Sequence, residues 1–290
     1  MMHIILGATG HVGSALAQAL LGHSEPVTVV TRDAHKAEAL RTKGARVAVV
    51  DVFDTHALHR VFMGGKRVFV LNPPAAPSSD TVAEEHRSLR AIVSALEGCA
   101  LEKIVAESTY GAQPGEGLGD LGVLYDMEQA LGAGPTPFSV IRAAYYMSNW
   151  DASLKTAREE GKVHSMYPAD FRLPMVAPHD LGQFAAKLML GPVESSGPHH
   201  VEGPERYSAG DVAQAFSEAL GRPVEVVETP REQWVQAFKS LGFSDAAAKS
   251  YAAMTRVTLD QHYEQPEKPE RGVISLREYI SALVKKSPDC

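Results

Sequence analysis

Residues 2–13, MHIILGATGHVG, decide the fold. Ile4-Ile5-Leu6 reads as a short buried parallel strand, and three glycines, Gly7, Gly10 and Gly13, follow it at three-residue spacing. The stretch SALAQALL then sets Ala15, Leu16, Ala19 and Leu20 on one face of a helix. A bare G-x-x-G-x-x-G occurs by chance; between a strand and a helix it has a mechanism. One glycine permits the tight turn, one lets the backbone approach a pyrophosphate, and one lets the helix pack closely on the strand. The free amides and positive dipole end of that helix then hold phosphates. The alternative is an ordinary glycine-rich turn that binds nothing. With both flanks in place we read a dinucleotide site made by Gly7, Thr9, Gly10, His11, Val12 and Gly13.

Working outward, PVTVV (26–30) is a second strand and ends in Thr31-Arg32-Asp33. An acidic residue at this strand end would accept from the ribose 2′-hydroxyl of NAD. Arg32 stands there instead, with Lys36 one helical turn on, and a guanidinium grips a 2′-phosphate in bidentate fashion. NADP(H) is therefore the expected cofactor. Asp33 keeps NAD(H) open, because a one-residue shift of the strand end would put its carboxylate in the acidic position. A third strand, RVAVV (46–50), reads as buried and runs into Asp51-Val52-Phe53-Asp54. Asp51 is placed to accept from the adenine amino group and Val52 to pack on the ring, while Asp54 caps the helix beginning THALHRVF. A fourth strand, RVFVL (67–71), ends in Asn72-Pro73-Pro74, an extended turn over the same crevice.

The alternation continues with a helix over 80–96, the strand KIVAES (103–108), a helix over 123–131 and the strand FSVIRAAYY (138–146). The glycine-rich segment between, 110–122, is too long for a minimal connector and reads as a loop over the crevice. Strands alternating with helices imply an α/β, Rossmann-like, doubly wound parallel sheet. Residues 1–150 form this nucleotide-binding domain. Residues 151–290, richer in proline and in short helices (151–162, 179–190, SAGDVAQAFSEALG and REQWVQAFKSLG) with the strand PVEVVE (223–228), form a smaller C-terminal α/β lobe that holds substrate. Some of its segments return to the main sheet.

Composition narrows the function classes. At 290 residues the chain can bury a large core, and its net charge of −7 with no basic run argues against nucleic acid. Two cysteines, Cys99 and Cys290, exclude a disulfide scaffold and a cysteine zinc site and suit a reducing, cytoplasmic setting. The histidines, His56, His59, His199 and His200 among them, lack carboxylate partners at metal-ligand spacing, so no metal is expected. No apolar stretch reaches membrane-spanning length, and no signal peptide precedes the first strand. The partner is a small molecule.

GATGHVG, TRDAHKAEAL, VDVFD, VIRAAYYMSNW, VAPHDLG and HHVEGPERYSAGDVAQAFSEALGRPVEVV together resemble the NmrA-like group of atypical short-chain dehydrogenase/reductases. The likeness runs from Met2 to about residue 230, and within that group the chain is also similar to the NADPH-dependent quinone reductases, which carry Arg plus Lys after the second strand. It implies a cofactor cleft lined by the glycine turn, Arg32, Lys36, Asp51 and Asn72, with substrate under the C-terminal lobe. Dehydrogenases of the wider class use Tyr-x-x-x-Lys on one helix, the lysine lowering the tyrosine pKa. Here the motif is Tyr125-Asp126-Met127-Glu128-Gln129. Gln129 can hydrogen-bond a ribose but supplies no charge. Tyr125, Ser108 at a strand end and Tyr110 are the candidate acid and orienting groups, each with a structural alternative.

Hydride transfer to a quinone removes the need for that lysine, since a neutral donor can stabilise the oxyanion. Tyr145, Tyr146, Asn149 and Trp150, with Met147, follow the sixth strand as a candidate flat slot for a planar ring, or as a core where the lobes meet. The resemblance leaves two leading functions, ahead of a reductase for a specialised carbon–carbon or carbonyl substrate, whose plant relatives keep a lysine that this chain lacks. One is hydride transfer from NADPH to a quinone-like or other small carbonyl acceptor. The other is a non-catalytic NADP(H)-binding redox sensor, acting on a protein partner or as a homodimer.

Overall fold

A computed structural model describes residues 1–287; Cys290 lies outside the described residues. The first half alternates β1 (His3–Ile5), α1 (His11–Gly22), β2 (Val27–Thr31), α2 (Glu38–Thr42), β3 (Arg46–Val49), α3 (Thr55–Met63), β4 (Arg67–Val70), α4 (Thr81–Leu96), β5 (Lys103–Thr109), α5 (Asp120–Gly132) and β6 (Phe138–Ala143). The second half runs β7 (Tyr145–Tyr146), α6 (Ser153–Glu160), β8 (Lys162–Ser165), β9 (Leu173–Val176), α7 (Pro178–Leu190), β10 (Gly197–Glu202) and β11 (Arg206–Tyr207). It closes with α8 (Ala209–Leu220), β12 (Glu225–Glu228), α9 (Trp234–Ser240), α10 (Asp245–Leu259), β13 (Glu270–Arg271) and α11 (Leu276–Lys286).

The main sheet has eight strands in the order β13-β10-β6-β5-β4-β1-β2-β3, and each pairing in it is parallel. Alternation along the strands divides its two faces. Ile5, Val29, Phe69 and Val105 pack against Leu16, Leu20, Leu181 and Met189 of α1 and α7. Ile4, Val68 and Ile104 meet Leu58, Phe62, Ile92 and Met127 of α3, α4 and α5 on the other side. The sheet is therefore doubly wound. Its strand order reverses between β1 and β4, the place where such folds open a ligand crevice beyond the carboxyl ends of the strands.

Two expectations for this half change. RVAVV reads as a buried strand, yet β3 is the sheet edge and Val49 is 57% exposed, because only β2 flanks it. The predicted strand 138–146 breaks after Ala143: the Ala144 amide donates to Val201 O at 3.0 Å, and the chain crosses into a second sheet, β11-β9-β7.

The C-terminal half both returns to the main sheet and builds its own core. β10 pairs β6 and carries β13 on its far side. α7 crosses directly on α1, where a Cβ at Gly182 would lie 2.4 Å from the Ala15 Cβ. Buried Arg67 and Lys103, at the starts of β4 and β5, donate to Met189, Gly191, Leu188 and Pro192 carbonyls at 2.7–3.1 Å, satisfying the last turn of α7 and its exit. Buried Asp180 accepts from the Val273 and Ile274 amides, both at 3.0 Å, and ties the chain beyond β13 to α7. Met147, Trp150, Tyr167, Met175, Phe216 and Ile280 centre a second core, which draws in residues on both sides of the expected boundary at 150.

Candidate active site

The turn from β1 into α1 gives each glycine a different task. Gly7 takes φ +65°, which a side chain would strain, and its carbonyl accepts from the Gly10 amide at 3.0 Å. A Cβ at Gly13 would lie 2.3 Å from Gly7 O, so α1 rests on the turn only without a side chain there. A Cβ at Gly10 would meet nothing nearer than Gly7 O at 3.3 Å. Packing does not demand a glycine there, and the turn is open at that point. No side chain caps α1 and no acidic residue stands in its first turn. Its leading amides and positive dipole end are thus presented to an anion.

This turn floors a cleft of about 890 Å³. Gly7, Thr9, Gly10, His11, Val12 and Gly13 line it, as do Arg32 and Lys36 at the end of β2, and Val52 and Phe53 beyond β3. Leu71, Pro73 and Pro74 close the side above β4, and Tyr146 stands at the far wall. Arg32 and Lys36 are exposed and, among the described residues, without a hydrogen bond or ion pair. Asp33 is turned toward its own backbone: its carboxylate accepts from the His35 amide at 2.9 Å. A dinucleotide's phosphates fit the uncapped helix start and a 2′-phosphate fits the two unpaired cations. A smaller groove of about 370 Å³ in the C-terminal lobe has its cations already paired, Arg172 with Asp211 and Arg277 with Glu218.

Several expected site residues lie outside these walls. Asp51 is exposed beyond β3 and accepts from the Phe53 amide at 3.0 Å, so its carboxylate makes a local turn. Asp54 caps α3 through the Ala57 amide. Asn72 fastens β4 to α4, donating to Glu85 O at 3.0 Å and accepting from Ser88 Oγ at 2.7 Å. Tyr125 is half-buried and Gln129 exposed on α5, and neither lines the cleft. Segment 110–119 packs on the C-terminal half, with Gln113 donating to His262 O at 2.8 Å, and does not roof the cleft.

The remaining catalytic candidates are occupied elsewhere. Buried Ser108 donates to Glu128 Oε1 at 2.5 Å, and Glu128 also receives both Nε and Nη2 of Arg142, at 3.1 and 2.7 Å. Buried Glu128 is thus held by half-buried Arg142, which also reaches exposed Glu264 at 2.7 Å, and Ser108 satisfies one of its lone pairs. Tyr110 donates to Glu202 Oε1 at 3.0 Å, and burial, with that carboxylate beside it, pushes its phenol far above the usual range. Tyr145 and Trp150 belong to the second core, their rings 6.1 Å apart, and Tyr145 meets Tyr167 edge-on at 5.9 Å. Asn149 is exposed and hydrogen-bonded to Tyr145. The expected aromatic slot thus divides, because adjacent residues of an extended segment point opposite ways. Tyr146 alone of the four faces the cleft.

Tyr146 brings a residue the sequence reading missed. Its hydroxyl donates to Oε1 of Glu107, which is only 4% exposed at the end of β5. Burial raises the Glu107 carboxyl to about 7, against the opposing effect of the Tyr146 hydrogen bond. Its other oxygen, Oε2, is buried and, among the described residues, has no hydrogen-bond partner. Burial and the facing carboxylate push the Tyr146 phenol well above its ordinary value. A lone carboxyl interrupting the apolar run KIVA was the available signal. Phe53, whose ring takes the Arg87 guanidinium at 4.1 Å, also lines the cleft without having been a site candidate.

Comparison with known proteins follows the same lines. The model of the NmrA-like family matches residues 3–285. An NAD(P)H azoreductase of Xenophilus azovorans is 25% identical over 247 residues, 85% of this chain and 84% of that protein. Quinone oxidoreductase 2 of Escherichia coli (strain K12) is 22% identical over 254 residues, 87% of this chain and 86% of that one. A solved structure of an E. coli NADPH-dependent quinone oxidoreductase complexed with NADPH superposes with a TM-score of 0.80 at 21% identity, covering 97% and 99% of the two chains. A Citrobacter sp. triphenylmethane reductase complexed with NADP(H) also gives 0.80, at 18% identity and 98% and 100% coverage. At these identities the solved structures speak for the fold.

Proposed function

The chain belongs to the NmrA-like family, and from that premise and the cleft we propose that it is an NADPH-dependent oxidoreductase reducing a small conjugated acceptor, of quinone or related carbonyl type. The observation that carries this reading is the uncapped start of α1 beside an unhindered Gly10, with Arg32 and Lys36 unpaired at the cleft mouth. The turn from Gly7 to Gly13 would hold the pyrophosphate, Arg32 and Lys36 the 2′-phosphate, and Val52 and Phe53 the adenine. When bound, the dihydronicotinamide supplies a hydride.

The protein's own groups orient the acceptor and exclude water. Leu71, Pro73 and Pro74 give an apolar wall, and Tyr146 offers a ring face with a hydroxyl at its edge. The relatives named azoreductase, quinone oxidoreductase and triphenylmethane reductase share extended conjugated acceptors, which supports the same class here. Among the described residues no helix is long and apolar enough to cross a membrane. Steady oxidation of NADPH with a panel of quinones, azo compounds and aldehydes tests the reading. Turnover favouring NADPH over NADH is expected with at least one conjugated acceptor. Tight NADPH binding with no oxidation across the panel would identify a redox sensor and overturn it.

A further inference from the structure

Reducing a neutral quinone requires a proton as well as a hydride, and the groups expected to supply it are engaged elsewhere. Ser108 is held in the Glu128–Arg142 pair, Tyr110 points at Glu202, and Tyr125 does not reach the cleft. Tyr146 does reach it, and behind Tyr146 stands a buried carboxyl with one oxygen engaged and the other, among the described residues, unpartnered.

Resting on the oxidoreductase reading above, we propose that Tyr146 is the acid of the reaction and that Glu107 positions it and stores its next proton. The acceptor is reduced by two electrons and one hydrogen from the dihydronicotinamide, which is oxidised. The Tyr146 O–H bond breaks as an O–H bond forms on the acceptor oxygen, giving the hydroquinone. The phenolate left on Tyr146 takes the proton of the Glu107 carboxyl, and the resulting carboxylate is reprotonated from water. One quinone, one NADPH and one proton thus yield one hydroquinone and one NADP⁺.

The geometry suits this sequence. With Glu107 ionised, the Tyr146 hydroxyl donates to the carboxylate and is turned away from the cleft. With Glu107 protonated, the carboxyl can donate to the phenol oxygen and leave the phenol proton free to face the acceptor. A dry setting that raises the carboxyl to about 7 keeps both forms accessible near neutral pH. A phenol held well above its usual range reclaims its proton from such an acid rather than remaining phenolate.

The test uses two acceptors that differ in their need for a proton. A neutral benzoquinone needs one; a triarylmethyl cation becomes neutral on receiving hydride alone. Tyr146→Phe, which keeps the ring, should lower kcat on the quinone by at least about 100-fold, the lower end for a positioned general acid. Its KM for quinone and its NADPH affinity should stay within about threefold, and its kcat on the cation should change by no more than that. Glu107→Gln should lower quinone turnover more than about tenfold and spare the cation. In the cofactor-free protein, Glu107→Gln should also remove an infrared carbonyl band of a protonated buried carboxylic acid. Equal losses on both acceptors would make Tyr146 a packing residue and overturn the proposal, as would quinone turnover that survives Tyr146→Phe or a wild-type-minus-Glu107→Gln difference spectrum that shows no lost carbonyl band beside that of buried Glu85. A wild-type protein that binds NADPH and reduces neither acceptor would instead remove the oxidoreductase reading itself.

Discussion

Gly10 and Gly13 are three residues apart in one turn, and the structure assigns their substitutions opposite consequences. A Cβ added at Gly13 would sit 2.3 Å from Gly7 O and 2.8 Å from the Ala8 Cα, roughly 1 Å inside ordinary contact with backbone atoms that cannot rotate away. Gly13→Ala must lift α1 off β1, and overpacking of this kind costs about 1–3 kcal/mol. For a chain of this size that lowers Tm by a few degrees to about 10 °C. At Gly10 the new Cβ would meet Gly7 O at 3.3 Å and no core atom, so Gly10→Val should cost no more than about 1 kcal/mol, as a weaker N-cap. It should nevertheless fill the approach to the α1 amides. Wild-type protein at NADPH one hundred times its Kd gains about 2.7 kcal/mol from binding. Thermal unfolding with and without NADPH should therefore show a cofactor-dependent rise in wild type and none in Gly10→Val, whose cofactor-free Tm stays near wild type. A normal NADPH-induced rise in Gly10→Val would place the pyrophosphate elsewhere and refute the reasoning.

Three further outcomes are expected. Arg32→Ala should weaken NADPH by roughly 1.5–3 kcal/mol, the worth of a hydrogen bond to a charged group, and leave NADH nearly unchanged in calorimetry; equal losses for both would remove the 2′-phosphate assignment. Tyr125→Phe should change quinone turnover by less than about tenfold, since Tyr125 does not line the cleft, and a loss of about 100-fold or more would restore it as the acid. The third concerns Glu85, which accepts from the Ala75 amide at 2.9 Å and is raised to about 8 by burial and then by neighbouring Asp120. Between its ordinary value of 4.5 and that raised value the folded state holds a proton the unfolded chain has released. Its contribution to stability is thus complete below the lower value and is lost as pH rises through the upper one, at up to about 1.4 kcal/mol per unit. Glu85→Gln keeps an acceptor for Ala75 and carries no proton to lose, so its Tm should gain on wild type between pH 5 and pH 8; parallel curves would exclude this.

What the sequence revealed follows from how local each signal is. The glycine turn, Arg32, Lys36 and the Asp54 cap act within a few residues of the strands that position them, so motif and placement are legible together. The reversal of strand order is equally readable from alternation, because parallel neighbours require crossover helices. Pairings across long separations are not. Glu107 meets Tyr146 and Tyr110 meets Glu202 only after β6 and β10 have joined the sheet. Ser108 resembles a catalytic hydroxyl in sequence until Arg142 and Glu128 are brought beside it. The aromatic cluster after β6 was half legible: alternation along an extended segment already sends Tyr145 and Tyr146 to opposite sides. α10 carries little signal because its buried face is small, built from Ala247, Ala248, Ala252 and Thr255.

Whether the cleft transfers hydride is tested most directly by a single anaerobic turnover. Protein saturated with NADPH carrying deuterium at C4 is mixed with one equivalent of a quinone, and the dihydronicotinamide absorbance and the hydroquinone are followed together. The account predicts equimolar loss of NADPH and gain of hydroquinone, with a rate that falls when the transferred hydrogen is deuterium and a reaction absent in Gly10→Val. Bound NADPH that persists unchanged beside the quinone would contradict it.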